Sequence, residues 1–432
     1  MFIKKIIPQF LILAYHWILA RLAALVYGFP SEKMIVIGVT GTAGKSTVVN
    51  LIAQILTEAG YKVGLTTTFN FKIGDQEWEN QKKMTMLGRF SLQKLLKRMV
   101  NQGCDYAVIE TSSQGMVQFR HRGINYDLGV FTGLAREHLE AHGGWEKYRQ
   151  AKEKLFQHLS QSKLKQIKGK TIKKTGVVNL DDKTKDYFLK YKLAQKYGYG
   201  LKEHYSEEGI KILKPSKIIL YPYGSEFVLQ EKKFSLNLLG RFNIANALAA
   251  ISVAQAQNIS LSVCQKALAQ VKQMPGRMEI VIKNPFTVIV DYAHTPDSLE
   301  KVYQTIVRHQ NSPKQKLICV LGATGGGRDK WKRPVLGALA EKYGDKIIIT
   351  NEDPYDEDPD KIMEEIIKGI KNSEKIFKIF DRQQAIAKAI SLAQPQDTII
   401  ITGKGCEPWI MQAQGKKIPW DDRKIVKEVF KK

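Results

Sequence analysis

The chain has 432 residues, 44% hydrophobic and 25% charged, the balance of an ordinary folded protein of two or three domains. That composition excludes a disordered chain, a collagen-like repeat and a small disulfide scaffold. The 67 Lys and Arg against 42 Asp and Glu give +25, which favours anionic partners (phosphates, acidic small molecules, nucleic acid, an anionic membrane face) but also fits a lysine-rich solvated surface. Cys104, Cys264, Cys319 and Cys406 lie far apart with no C-x-x-C pair, so a zinc ribbon and a disulfide framework are not indicated and a reducing compartment is.

After Lys4 and Lys5 comes the apolar run Phe10 to Phe29, interrupted only by His16 and Arg21, just long enough to span a bilayer. Export would part the nucleotide site described below from its ATP, so a signal peptide is rejected. At helical spacing Lys5, Gln9 and His16 share a face, with Arg21 roughly 140° away. The expectation is a helix lying in the membrane interface, with Trp17 and Tyr27 at headgroup depth. Packing on the domain that follows and a full span are the alternatives.

From Met34 short apolar runs alternate with helical stretches. MIVIGVT (34–40) predicts a buried strand and residues 46–60 a helix capped by Gly60. YKVGLTT, DYAVIET, YDLGVFT and TGVVNL repeat the pattern, which implies an α/β fold with a mostly parallel sheet covered on both faces. Four runs between 209 and 239 read as antiparallel hairpins attached to that sheet. Past the Pro275–Arg277 boundary FTVIVDYAH, KLICVLGATGGG, KIIITNEDP, IFKIFDR and DTIIITGKG predict a second, Rossmann-like domain whose five strand-end loops border one crevice. The resulting division is a hydrophobic helix (1–33), a P-loop domain (34–276) and a C-terminal domain (277–432).

The sharpest local signal is Gly41-Thr42-Ala43-Gly44-Lys45-Ser46-Thr47 between a strand and a helix. Glycines there let backbone amides turn onto phosphate oxygens at a helix N-terminus. Lys45 can reach the β- and γ-phosphates and Ser46 can ligate Mg²⁺. Position 39 is Val, so the strict G-x4-G-K-[ST] pattern shortens to G-x-x-G-K-S. Glu110 ends a strand, where a carboxylate suits Mg²⁺; Glu137 and His138 follow another, and Lys152 lies in a helical stretch. Singly each is more often structural; together at strand ends of one sheet they point to ATP, Mg²⁺ and a large polar or anionic substrate. They do not separate hydrolase, kinase and ligase chemistry.

GVTGTAGKSTV, ETSSQGMVQFR, FTGLAREHLEAHGGWEKYRQAKEKLF, NLDD, LLGRFNIANALAA, PGRMEIV, DYAHTPDSLEKV, GGRDKWKRP, EDPYDEDP and TGKGCE occur in this order. Together they closely resemble the Mur ligase family, and within it the UDP-N-acetylmuramoyl-tripeptide synthetases that add the third stem-peptide residue of peptidoglycan. The resemblance implies an ATP-dependent ligase that phosphorylates a carboxylate and lets an amino group attack the acyl phosphate. It implies that Gly41 to Thr47 bind ATP, Ser46 and Glu110 a Mg²⁺, and His138 a second Mg²⁺. Lys152 matches a lysine that becomes N-carbamylated on the metal side. Thr85, Ser112, Gln118 and Arg120 match acceptor contacts, Asn243, Asp291 and His294 nucleotide contacts, and Arg328, Asp353, Gly403 and Glu407 the amino-acid pocket.

The departures are equally specific. The family's N-terminal UDP-gripping domain has no counterpart, and the hydrophobic helix stands in its place. Glu352-Asp353-Pro354-Tyr355 replaces the Asp-Asn-Pro-Arg of diaminopimelate-adding members, Cys406 replaces a His and Met86 a Pro. Without that Arg a bidentate carboxylate contact is lost, and the identity of the amino acid is open. Folate-glutamate and amino-acid-polymer ligases are the nearer alternatives; amidating relatives typically carry a four-cysteine zinc insertion that this sequence lacks. A nucleic-acid-linked P-loop ATPase predicts aromatic and Arg-rich stretches, and none is seen. A tethered binding protein without turnover is disfavoured by Lys45, Glu110, His138 and Lys152 together. The expected setting is the cytoplasm, with contact at the inner membrane face through residues 1–30.

Overall fold

The computed structural model describes residues 8–308 and 315–431. Helix α1 (Gln9–Val26) precedes strand β1 (Ile35–Thr40), which is buried along its whole length at the centre of a sheet covered on both faces. Helix α2 (Lys45–Glu58) ends as the sequence predicts: Gly60 takes φ 88°, and the Gly60 and Tyr61 amides donate to the Thr57 and Leu56 carbonyls at 3.0 and 3.1 Å. Then come β2 (Val63–Thr66), β3 (Asn70–Ile73), β4 (Gln76–Glu79), α3 (Arg89–Asn101), β5 (Tyr106–Glu110), α4 (Ser113–Val117), β6 (Leu128–Phe131), α5 (Leu139–His142) and α6 (Trp145–Gln161). A small hairpin, β7 (Lys165–Ile167) and β8 (Lys170–Ile172), leads to β9 (Thr175–Asn179), α7 (Asp186–Leu189), β10 (Gln195–Tyr199) and β11 (Lys211–Leu213).

The main sheet runs β11–β10–β9–β6–β1–β5–β2–β3–β4. It is parallel from β11 to β2; only β3 and β4 pair antiparallel. The expectation of antiparallel hairpins for all four runs of 209–239 is corrected here. The first run, β11, joins the main sheet parallel to β10. The others, β12 (Lys217–Tyr221), β13 (Gly224–Leu229) and β14 (Lys232–Leu236), form a separate antiparallel sheet. Its inward face, Phe227, Leu229, Phe234 and Leu236, packs on α8 (Arg241–Ala256) and Leu268 and so extends the core that covers one face of the main sheet.

The second sheet has the order β15 (Glu279–Ile282), β16 (Thr287–Val290), β20 (Thr398–Ile401), β17 (Leu317–Leu321), β18 (Lys346–Ile349), β19 (Ile376–Lys378), parallel except for β15 with β16. Along β17, Leu317, Cys319 and Leu321 face one core while Ile318 and Val320 face the other. Continuous apolar runs therefore read correctly as strands buried on both sides.

Helix α1 packs against α3 and buries Ala20, Ala23 and Ala24, with Ala20 and Ala24 against Gly123. Packing on the following domain thus describes one of its faces; the other is exposed and apolar. Lys4 and Lys5 lie outside the described residues, as do the side chains of Gln9 and Phe10. Among the described residues no helix is long and apolar enough to cross a membrane.

Candidate active site

Strand β1 is flanked by β5 and β6, so the chain leaves it towards opposite edges and the loops beyond its end part to leave a crevice. The loop 41–44 sits there. Gly41 has φ 145°, and a Cβ would stand 2.0 Å from Thr132 Oγ1; Gly44 has φ 80°, with a Cβ 2.5 Å from Asn246 Oδ1. Only glycine fits at position 41; at 44 a side chain would be strained and would press on Asn246. The Thr42 amide donates to Gly133 O at 2.8 Å and Thr132 Oγ1 to Ala43 O at 2.6 Å, tying the loop to the end of β6.

Parallel register sets Val39 opposite Glu110, placing this carboxylate beside the loop. Glu110 is only 2% exposed. It accepts from Ser46 Oγ at 2.7 Å, Thr68 N at 2.8 Å and Thr68 Oγ1 at 3.1 Å, with Lys45 Nζ 3.9 Å away. Lys45 itself donates to Thr42 O at 2.8 Å. From α6, buried Lys152 donates to Gly41 O at 2.6 Å. Burial, reinforced by Lys45, pushes its pKa well below the usual lysine range, against the pull of Glu137 and Glu110. Thr47 lies buried in the first turn of α2.

Glu137 and His138 bring in the second half of the chain. Glu137 Oε1 lies 2.8 Å from His294 Nε2 and 3.4 Å from His138 Nε2. Burial alone would raise the Glu137 carboxyl; His138, His294 and Lys332 outweigh it and hold the group well below the ordinary range. Arg328 Nη1 donates to His138 Nδ1 at 3.2 Å, and burial holds the His138 ring down to a pKa of about 4. Asp329 accepts from the Leu139 and Glu140 amides at 3.2 and 3.0 Å, which pins the start of α5 to the C-terminal half. Lys332 donates to His294 O at 3.0 Å.

The acceptor candidates form one adjoining group. Thr85 Oγ1 meets Thr68 Oγ1 at 3.1 Å, Ser112 Oγ accepts from the Gly115 amide at 3.1 Å, and Gln118 Oε1 accepts from Arg120 Nε at 3.0 Å. Arg120 also donates to Met86 O. Asn243 is reached through Asn246, whose Nδ2 donates to Asn243 Oδ1 at 2.9 Å and whose Oδ1 borders Gly44. Asp291 faces its own backbone, accepting from Met278 N and Ala293 N at 2.6 Å each.

The amino-acid candidates divide in two. Arg328 stands with His138, whereas Asp353 and Glu407 lie in a buried knot. Lys404 donates to Asp353 Oδ1 at 2.9 Å, Glu407 Oε2 at 2.8 Å and Trp409 O at 2.6 Å. Lys83, from the loop between β4 and α3, pairs with Asp353 and with Glu407 at 2.8 Å. Burial would raise Glu407; Lys404 and Lys83 bring it down to about 2. Gly403 has φ 104°, and a Cβ would stand 2.3 Å from Glu352 Oε2. Tyr355 lies in the left-handed region at φ 52° and packs on Gly326.

Lys83 is not legible in the sequence because it carries no motif and its partner Asp353 lies 270 residues on, with Glu407 farther still. Lys332 and Lys404 lay inside GGRDKWKRP and TGKGCE but were not singled out. Among the described residues no group of three or more His, Cys, Asp or Glu could hold a metal alone. The Ser46–Glu110 oxygen pair fits a hard cation that shares its ligands with phosphate oxygens.

Residues 39–254 match the Mur ligase middle domain and residues 276–405 the Mur ligase glutamate ligase domain. The chain is 36% identical over 419 residues to a UDP-N-acetylmuramoyl-L-alanyl-D-glutamate–2,6-diaminopimelate ligase of Clostridium tetani, covering 95% of this chain and 81% of that protein. To the enzyme of the same name from Aquifex aeolicus it is 38% identical over 410 residues, covering 94% and 79%. A solved structure of a ligase of that name aligns with a TM-score of 0.60 at 30% identity over 92% of this chain and 78% of that one. Mycobacterium tuberculosis folylpolyglutamate synthase, at 17% identity and a TM-score of 0.68 over 90% and 92% of the two chains, shares the fold. The phosphate loop and the carboxylates around it therefore sit in a chain that belongs to the Mur ligase family of ATP-dependent amide-bond-forming ligases.

Proposed function

We propose that this ligase adds an amino acid to a muramoyl-peptide acceptor, a precursor of peptidoglycan, through an acyl phosphate. The observation that carries the reading is one seam: the phosphate loop, Glu110 and Lys152 on one side meet Arg328 and His294 on the other across Glu137 and His138. The names of the relatives supply the substrate class. We divide the chain into residues 1–33, 34–276 and 277–432, and place its reaction in the cytoplasm at the inner membrane face.

In this reading the amides of Gly41 to Thr47 cradle the ATP phosphates, and Lys45 swings from Thr42 O to the β- and γ-phosphates. Ser46 Oγ and Glu110 offer Mg²⁺ two hard oxygens. When bound, that ion neutralises charge on the transferred phosphoryl group. Lys152, whose burial favours the neutral amine, adds to CO₂; the new N–C bond releases one proton and leaves an anionic carbamate beside His138 for a second Mg²⁺. Thr85, Ser112, Gln118 and Arg120 hold the acceptor, and Asn243, Asp291 and His294 border the nucleotide.

An acceptor carboxylate oxygen attacks the γ-phosphorus and ADP leaves. The amino group of the second substrate, oriented by Arg328, Asp353, Gly403 and Glu407, attacks the carbonyl carbon. Phosphate departs with the acceptor's oxygen, and the amine loses a proton. Tyr355 offers the second substrate no cation, so a distal carboxylate finds no fork here.

Acceptor labelled with ¹⁸O in its carboxylate tests the route. Each turnover should carry one ¹⁸O into inorganic phosphate. Unlabelled phosphate would contradict the acyl phosphate.

A further inference from the structure

Helix α1 buries three alanines, half-buries Ile12, Leu13 and Leu19, and turns most of its other large residues outward. Ala20, Ala23 and Ala24 face inward, where a Cβ on Gly123 would come within 2.5 Å of Ala24 Cβ. On the other side Leu11, Tyr15, Ile18, Leu22, Leu25 and Val26 are each between 44% and 64% exposed. Their spacing, mostly three and four residues, draws one stripe along the helix, roughly 22 Å long at 1.5 Å per residue. Scattered exposed apolar side chains are normal, but a continuous stripe of this length marks a surface that something covers.

The charges around it select the occupant. No Asp or Glu occurs in residues 1–31 or in 80–104, the stretches that contain α1 and α3. Arg21 lies on α1, its guanidinium 5.6 Å from the Trp17 ring centre, and α3 adds Arg89, Lys94, Lys97 and Arg98. Pairing with a second copy through this stripe would set mostly like charges together, with Glu32 the one acid nearby to answer them, whereas helices that pair in water flank the seam with both signs. An apolar stripe that includes Tyr15, runs beside Trp17 and Arg21, and has Glu32 as the one acid near its end matches the interface of an anionic bilayer.

We propose that α1 and the basic flank of α3 form a peripheral docking surface for an anionic lipid bilayer, with α1 lying in the plane of the interface. The docking is independent of the ligase reading. A consequence does rest on that reading: Arg89 donates to Gln118 O at 2.7 Å and Gln93 to Gly123 O at 3.2 Å, so the acceptor group at Ser112–Arg120 adjoins the docked face. A lipid-borne acceptor would then be held on the same surface as the enzyme.

Flotation of the full chain with phosphatidylcholine vesicles, with and without about one third phosphatidylglycerol, tests this. The protein should float with the anionic vesicles only, less so as salt rises. Ile18→Glu/Leu22→Glu should lower that partitioning at least about tenfold, because it puts two charges into the apolar stripe. Lys94→Glu/Arg98→Glu should lower it several-fold. Nucleotide binding and the unfolding midpoint of the first variant should match the parent, showing that it folds. No flotation with either vesicle, equal flotation with both, or flotation unchanged in Ile18→Glu/Leu22→Glu overturns the proposal. So does a concentration-dependent dimer that this variant dissolves, which would assign the stripe to a second copy. Ligation of a soluble acceptor by the variant reports on the ligase reading separately.

Discussion

Replacing Glu110 by Gln should nearly abolish turnover while sparing the fold. The amide can keep a carbonyl oxygen where Ser46 Oγ and Thr68 N now donate, at 2.7 and 2.8 Å. Those two bonds weaken from charge-assisted to neutral, about 1 kcal/mol each. The attraction of Lys45 at 3.9 Å, about 4 kcal/mol at an effective dielectric constant near 20, is also lost. Lys45 is partly exposed and already bonded to Thr42 O, which returns much of that term. A net destabilisation of about 1–3 kcal/mol follows, a drop of a few degrees in unfolding midpoint. Turnover should fall about 10²–10³-fold, the cost of losing one preorganised group at a developing charge. ADP release under saturating substrates, with binding of a fluorescent ATP analogue measured without Mg²⁺, separates the two effects. Glu110→Gln enzyme keeping more than about a tenth of its turnover would refute the reasoning.

Lys152→Ala should likewise lose most activity yet bind ATP, with partial rescue by short carboxylates; full activity without rescue would remove the carbamate role. Because the folded pKa of Lys152 is depressed, its burial destabilises the uncarbamylated fold most below that pKa, and the cost fades as pH rises towards the ordinary lysine value. Lys152→Met in bicarbonate-free buffer should thus unfold no earlier than the parent at neutral pH. Lys404→Met should destabilise by about 3–5 kcal/mol, since it strips a fully buried partner from Asp353 and Glu407. With Glu407 held at about 2, the parent keeps this contribution above the ordinary carboxyl pKa and loses it as pH falls towards 2; an unfolding midpoint of Lys404→Met with the same acid dependence would contradict it. On the proposed reading Tyr355 stands where a cation would clamp a second carboxylate, so diaminopimelate should show no strong advantage over lysine in competition; a strong preference would assign that task to Arg328.

The phosphate loop and its flanking strands were legible because backbone demands wrote them into the residue types. Gly41 and Gly44 take positive φ values that favour glycine, and β1 and β17 are buried along their whole length because both faces are covered. The hairpin β3–β4 and the parallel docking of β11 escaped, since short half-polar strands take their partners from tertiary context. The Lys83–Asp353–Lys404–Glu407 knot was illegible for another reason: its charges are ordinary in composition and acquire meaning only when distant loops meet. On α1 the sequence shows an amphipathic apolar helix, but which face is buried, the one with Ala20, Ala23 and Ala24, is set only by its tertiary packing.

The central claim is tested most directly by mass spectrometry of the product together with ADP release. Purified protein, ATP, Mg²⁺, a muramoyl-dipeptide acceptor and a panel of amino acids should give ADP only when acceptor and a suited amino acid are both present. The product should weigh the sum of the two less one water. ADP release indifferent to acceptor and amino acid, or raised by nucleic acid instead, would contradict the account.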